Sequence, residues 1–126
     1  ANSINTVAAA LGDDIGFSAV AGMARRFGIT TPVNTHPSMV LGTADVRVID
    51  MTAAFAAVAR RGVSVTPYGI TKVTTSEGKL LYQHKPTAGS QLVEDYVAAG
   101  ITDLLQTAVN TGTGRAAQIG RPVAGK

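Results

Sequence analysis

Apolar side chains recur at helical spacing in four stretches of the chain and in short extended runs in one. Val7 and Leu11, with alanines between them, predict a short apolar helix over residues 6–11, closed by Gly12. Val20, Met23, Ala24 and Phe27 share one face of a second helix over residues 17–27. Gly28 then supplies the left-handed residue that ends such helices. Met51, Phe55, Val58 and Ala59, with Val48 beside them, form a stripe over residues 48–60, and alanines on the other faces permit close approach of neighbours, so a buried core helix is expected there. The longest helix is expected over residues 94–110. It carries Val97, Ile101, Leu104 and Leu105 on one face, has acids in its first turn where the macrodipole favours them, and is ended by Gly112 and Gly114.

Between these helices the pattern changes. Pro32 and Pro37 forbid a continuous helix between residues 29 and 41. After Gly62, the runs around Val63, Val65, Ile70 and Val73, the turn Ser76-Glu77-Gly78 and the segment Lys79-Leu80-Leu81-Tyr82 predict a hairpin with arms near residues 69–75 and 79–84. A lone two-stranded ribbon is marginal in water, so it is expected to lie on the helices or on parts of a larger protein. After the last helix, a Gly-rich turn and a short helical piece lead into the first residues of a strand. The fold class expected is mainly α with one β-hairpin.

Composition narrows this picture. The chain has 126 residues, 45% of them apolar, enough for one domain-sized core. Aromatic residues make up 5% with no Trp, which points to a core of small Ala, Val and Leu side chains. A net charge of +3 and a pI near 9.6 suggest an anionic partner. The basic residues are scattered, however, apart from Arg25-Arg26 and Arg60-Arg61, which sit at predicted helix ends where cations favour the negative pole. Nucleic-acid binders cluster their charge on one face, so no DNA or RNA partner is expected. The absence of cysteine excludes disulfides and thiolate metal sites and is compatible with either redox compartment. No apolar run approaches bilayer-spanning length, and no membrane contact by this segment is expected. Starting at Ala1 in what reads as a loop, and ending in what reads as a strand, residues 1–126 are expected to be a piece of a larger protein.

Few residues carry candidate chemistry. Asp13 and Asp14 read as macrodipole partners ahead of a helix, with no third acid or histidine near them in sequence. His36 and His84 have no metal-ligand spacing and no flanking acid, so no metal site and no cofactor is expected. Two places remain. Ser3-Ile4-Asn5 precedes a helix, where Asn2, Ser3 and Asn5 are all good capping residues. Lys126 is reached through Val123-Ala124-Gly125, downstream of Gly112-Thr113-Gly114; on composition alone a lysine there reads as solvated.

Taken in order, Ser3-Ile4-Asn5, Arg25-Arg26-Phe27-Gly28-Ile29, Leu41-Gly42-Thr43, Met51-Thr52-Ala53-Ala54-Phe55, Gly62-Val63, the hairpin Glu77-Gly78-Lys79-Leu80-Leu81-Tyr82, Gly112-Thr113-Gly114-Arg115 and Gly120-Arg121-Pro122-Val123-Ala124-Gly125-Lys126 make a pattern. It resembles the C-terminal half of the transpeptidase domain of a class A, bifunctional penicillin-binding protein, from its Ser-x-Asn motif to the lysine of Lys-Thr-Gly. The resemblance covers the whole chain. It departs from the family pattern in two ways. Only Lys126 of Lys-Thr-Gly is present, and the one Ser-x-x-Lys spacing, Ser76 to Lys79, falls in a hairpin turn rather than at the start of a buried helix.

The resemblance implies a partial domain over residues 1–126: the helical lobe and part of the central sheet of the β-lactamase/transpeptidase-like α+β fold, with Lys126 starting a middle strand of that sheet. It implies an acyl-serine D,D-transpeptidase that cross-links peptidoglycan stem peptides ending in D-Ala-D-Ala and binds β-lactam antibiotics. The nucleophilic serine would come from a Ser-x-x-Lys segment in the remaining transpeptidase chain, so residues 1–126 alone would be inactive. By resemblance Ser3 relays a proton toward the leaving amine, Asn5 positions the substrate amide and the catalytic lysine, and Lys126 supplies positive charge near Ser3 and the substrate carboxylate. The implied location is the periplasm or the extracytoplasmic face of the inner membrane, with the parent protein membrane-anchored. Two other classes stand beside this one: a non-catalytic helical interaction domain whose apolar stripes bind a partner, and a basic nucleic-acid binder, disfavoured by the scattered charge. Thr-Gly after Lys126 and Ser-x-x-Lys before Ala1 would separate the enzyme from the interaction domain.

Overall fold

The computed structural model describes residues 2–126; Ala1, part of the expected N-terminal loop, lies outside the described residues. Four α-helices and one hairpin follow in order. They are α1 (Asn5–Ile15), α2 (Phe17–Arg26), α3 (Val48–Ala59), the strands β1 (Lys72–Thr74) and β2 (Leu80–Gln83), and α4 (Asp95–Asn110). Two single 3₁₀ turns, Pro37–Leu41 and Arg115–Ala117, complete the chain. The architecture is therefore mainly α with one antiparallel ribbon, as the apolar periodicity predicts.

Gly12 does not close α1, which runs on to Ile15. Its role is close approach: a Cβ at Gly12 would lie 2.6 Å from Val40 Cγ1, so the first 3₁₀ turn packs against a bare patch of helix. The break comes at Gly16, whose φ of 91° an L-residue rarely adopts, and α2 leaves at 92° to α1. Asp13 and Asp14 consequently lie in the last turn of α1 rather than ahead of a helix, and both are exposed. Pro37, which forbids a longer helix, sits at the start of the first 3₁₀ turn, where its missing N–H has no partner to lose.

The core is built from small side chains. Ala21, Ala57, Ala98 and Ala108 are buried together with Ile29, Met39, Leu92 and Val109. Helix α3 is not the buried core helix that its stripe predicts: Asp50 and Ala57 are its buried residues, while Val48 is 84% exposed and Met51 and Phe55 are partly open. Among the described residues α4 is the element packed against α3, so a single two-helix contact leaves one apolar flank of each helix uncovered. The ribbon likewise does not rest on the helices. Its strands pair with each other, Lys72 opposite Gln83 and Val73 opposite Tyr82, with an irregularity after Val73, and every strand residue is exposed. Tyr68 stacks on His84 at the ribbon's base, ring centroids 3.6 Å apart, which gives this histidine a packing role. No single helix among the described residues is long and apolar enough to cross a membrane.

Two polar ties join helices α3 and α4 to the segments beside them. At the α3–α4 junction the Arg61 guanidinium grips the Asp95 carboxylate through Nε and Nη2. That hydrogen-bonded pairing holds the Asp95 carboxyl below the usual carboxylate range. The second tie is Asp50 in the first turn of α3, whose Oδ2 accepts from the Thr30 hydroxyl at 2.5 Å and the Thr30 N–H at 3.0 Å. These bonds fix the start of the segment that carries the first 3₁₀ turn. The Thr30 hydroxyl above all, then the Thr30 N–H, lowers the Asp50 carboxyl below its ordinary value, with Arg47 assisting. A carboxylate lowered in the folded state contributes stability above its unfolded value of about pH 4, and that stability is lost as pH falls through the folded value. The substitution Asp50→Asn is therefore expected to lower the melting temperature at neutral pH. The gap to the wild type should narrow on acidification below about pH 4; a pH-independent gap in thermal melts would contradict the tie.

Candidate active site

The N-terminus of α1 is capped by backbone geometry alone. Its N-cap residue is Ile4, with φ −79° and ψ 108°, and no side chain caps the helix. The Ser3 hydroxyl is thus not committed to the helix, as a capping role would require. Ser3 has φ 52°, a left-handed conformation uncommon for a non-glycine residue. In that conformation its Oγ accepts a hydrogen bond from Lys126 Nζ, bringing together residues 123 positions apart in the sequence. Asn5, the first residue of α1, lines the same cleft.

Lys126 arrives at this point by way of the end of α4. The Gly125 N–H donates to the Leu105 carbonyl at 3.4 Å, and Gln118 Nε2 donates to the Val109 carbonyl at 3.1 Å, so residues 118–125 are laced to the last turns of the helix. The run into Lys126 is not a strand, contrary to expectation: a strand requires a ladder partner, and among the described residues this run has none. Lys126 Nζ also donates to Thr113 Oγ1 at 3.0 Å. The sequence gives Thr113 no role of its own, because Gly112-Thr113-Gly114 reads as a helix-ending turn. The one available signal was a hydroxyl between two glycines just upstream of the lysine segment.

Ser3, Asn5 and Lys126 form the polar end of an open cleft of about 510 Å³, whose apolar wall comes from Val7 and Leu11 of α1 and Val40 and Leu41 of the first 3₁₀ turn. Gly12 sets how closely those two walls approach. An ammonium is a donor only, whereas a serine hydroxyl has one proton and two lone pairs. With Lys126 occupying a lone pair of Ser3, the Ser3 O–H remains free to donate to a group in the cleft. The cleft therefore offers a positive charge, a hydroxyl able to pass a proton and a neutral amide beside an apolar wall. His36 and His84 do not line it, nor do Asp13 and Asp14, and no cluster of three metal-binding side chains occurs among the described residues.

Comparison with known proteins gives a consistent family. The family model described as penicillin binding protein transpeptidase domain matches residues 1–126. Penicillin-binding protein 1A of Aquifex aeolicus is 32% identical over 127 residues, covering 100% of this chain and 17% of that protein. Penicillin-binding protein 2D of Bacillus subtilis is 34% identical over 112 residues, covering 82% of this chain and 16% of that protein. The chain thus spans less than a fifth of the length of these relatives. Among solved structures, the D,D-transpeptidase domain of a peptidoglycan glycosyltransferase from Eggerthella lenta superposes with a TM-score of 0.83 at 25% identity, covering 99% of this chain and 39% of that one.

The backbone at Ser3 provides a test of the site's geometry. Glycine adopts positive φ freely, whereas an L-residue there is strained by about 1 kcal/mol or more. Ser3→Gly and Ser3→Ala both remove the hydroxyl, but only the glycine relieves the strain. In the intact domain the relieved strain offsets glycine's larger loss of chain freedom, so Ser3→Gly is expected to be at least as stable as Ser3→Ala in denaturant melts. A Ser3→Ala variant more stable than Ser3→Gly by about 1 kcal/mol, the ordinary advantage of alanine, would mean that Ser3 is not held left-handed.

Proposed function

The chain belongs to the penicillin-binding protein transpeptidase family as part of its transpeptidase domain, and we propose that it supplies one wall of the active site of a serine-type D,D-transpeptidase acting on peptidoglycan stem peptides outside the cytoplasm. The observation that carries this proposal is the bond between Lys126 Nζ and Ser3 Oγ at the polar end of the cleft.

The roles follow from what each group can do. A serine contributed by the remainder of the domain gives its hydroxyl proton to the lysine of its own Ser-x-x-Lys segment, attacks the carbonyl of the D-Ala-D-Ala amide and forms an ester, and the C–N bond breaks with release of the terminal D-Ala amine. That amine needs a proton as it leaves. The Ser3 O–H, with Lys126 on its oxygen, is placed to pass one. The ammonium stabilises negative charge on Ser3 during that transfer and attracts the substrate's terminal carboxylate. Asn5, with both donor and acceptor on one neutral amide, suits holding the substrate amide and a neighbouring lysine. An amine from a second stem peptide then attacks the ester, completing the cross-link and returning the serine. β-Lactams present the same amide in a strained ring and stop at the ester.

Neither Ser3 nor any other residue of the chain is assigned the nucleophile's role. In the full-length protein treated with a penicillin, peptide mapping is expected to place the penicilloyl adduct on a serine of a Ser-x-x-Lys segment outside residues 1–126. Ser3→Ala and Lys126→Ala should each slow acylation on the order of 10²-fold. An adduct on Ser3, or wild-type acylation rates in both variants, would overturn the proposal.

A further inference from the structure

Thr113 belongs neither to the Ser-x-Asn nor to the Lys-Thr-Gly motif, yet it meets the lysine of the cleft directly. Its Oγ1 accepts from Lys126 Nζ at 3.0 Å. An ammonium carries three protons and no lone pair. With one proton directed to Ser3 and one to Thr113, a single proton is left for a group in the cleft. A lysine held only by Ser3 could swing about that contact, because its stem has four rotatable bonds. A second acceptor fixes the direction of the third proton.

Thr113 is itself firmly placed. The Gly114 N–H donates to the Ala108 carbonyl at 2.9 Å. A Cβ at Gly114 would lie 3.1 Å from the same carbonyl oxygen, so the turn sits tightly on the helix that precedes it. Lys126 approaches over the same part of α4 through the Gly125 bond to Leu105. Both sides of the Thr113–Lys126 contact therefore stand on one platform, the C-terminal half of α4, where Ala108 and Val109 are buried.

We propose that Thr113 is a positioning residue for the acyl-transfer reaction: its hydroxyl orients the Lys126 ammonium so that Ser3 and the substrate carboxylate each receive one proton of it. This rests on the role given to Lys126 above. In this role Thr113 acts through the lysine.

Two substitutions separate the hydroxyl from the side chain's shape. Thr113→Val keeps the branched outline and removes the acceptor; Thr113→Ser keeps the acceptor and removes the methyl group. In the full-length protein, acylation by a fluorescent penicillin is expected to be about tenfold slower in Thr113→Val, the scale of one lost hydrogen bond to a charged group. Thr113→Ser should stay within roughly threefold of the wild type. In a Lys126→Ala background, Thr113→Val should cause no further loss, because the group it orients is gone. Should Thr113→Val melt early, Thr113→Ala set against Thr113→Ser makes the same comparison with smaller side chains. Wild-type rates in Thr113→Val, a Thr113→Ser variant as slow as Thr113→Val, or a second full loss on top of Lys126→Ala would each overturn the proposal. Wild-type acylation by Lys126→Ala alone would instead remove the role of the lysine on which it rests.

Discussion

A donor-only ammonium between two hydroxyls is the contact that joins the two ends of this chain at the cleft. Lys126 closes a circuit from the α1 N-terminus, through Ser3, to the turn after α4, through Thr113. Neither hydroxyl is used by its own segment. The α1 N-terminus is left without a side-chain cap, and the α4 turn is held by backbone bonds from Gly114 and side-chain bonds from Gln118. Local structure is satisfied by the backbone and by other side chains, and the two hydroxyls remain available for the ammonium.

The rest of the chain serves that circuit at one remove. The cleft's apolar wall needs α1 and the first 3₁₀ turn in close contact, which the missing side chain of Gly12 permits. The 3₁₀ turn needs an anchor, which the Thr30–Asp50 bonds supply at the start of its segment. Helix α4 packs against α3, is tied beside that contact by the Arg61–Asp95 pair, and carries the lysine segment on its later turns. By contrast the outer flank of α3 and both faces of the ribbon are open. Those surfaces fit a segment that covers 39% of a larger transpeptidase domain of the same fold.

Much of this was legible in the sequence. All four helices and the hairpin follow from apolar period and from glycine and proline placement, with ends displaced by a few residues. The largest displacement, at α1, came from reading Gly12 as a stop. In an isolated sequence, a glycine chosen for a neighbour's approach cannot be told from one chosen for positive φ, because the neighbour, Val40, is remote. The openness of α3 is hidden in the sequence for a related reason. A stripe records that a face is meant to be covered, not which segment covers it. The Ser3 and Lys126 candidates came from a motif resemblance rather than from pattern, and the structure brings them together. Thr113 stayed hidden because a hydroxyl in a glycine turn has the same local signature whether or not a lysine comes back to it.

The proposed role of the Ser3–Lys126 pair at the cleft is tested most directly by a crystal structure of the full domain acylated by a penicillin. Ser3 Oγ and Lys126 Nζ are expected to lie at hydrogen-bonding distance, about 3 Å, beside the bound acyl group. A structure in which they stand more than about 5 Å apart with no bridging water, or in which the acyl group lies away from both, would contradict the account.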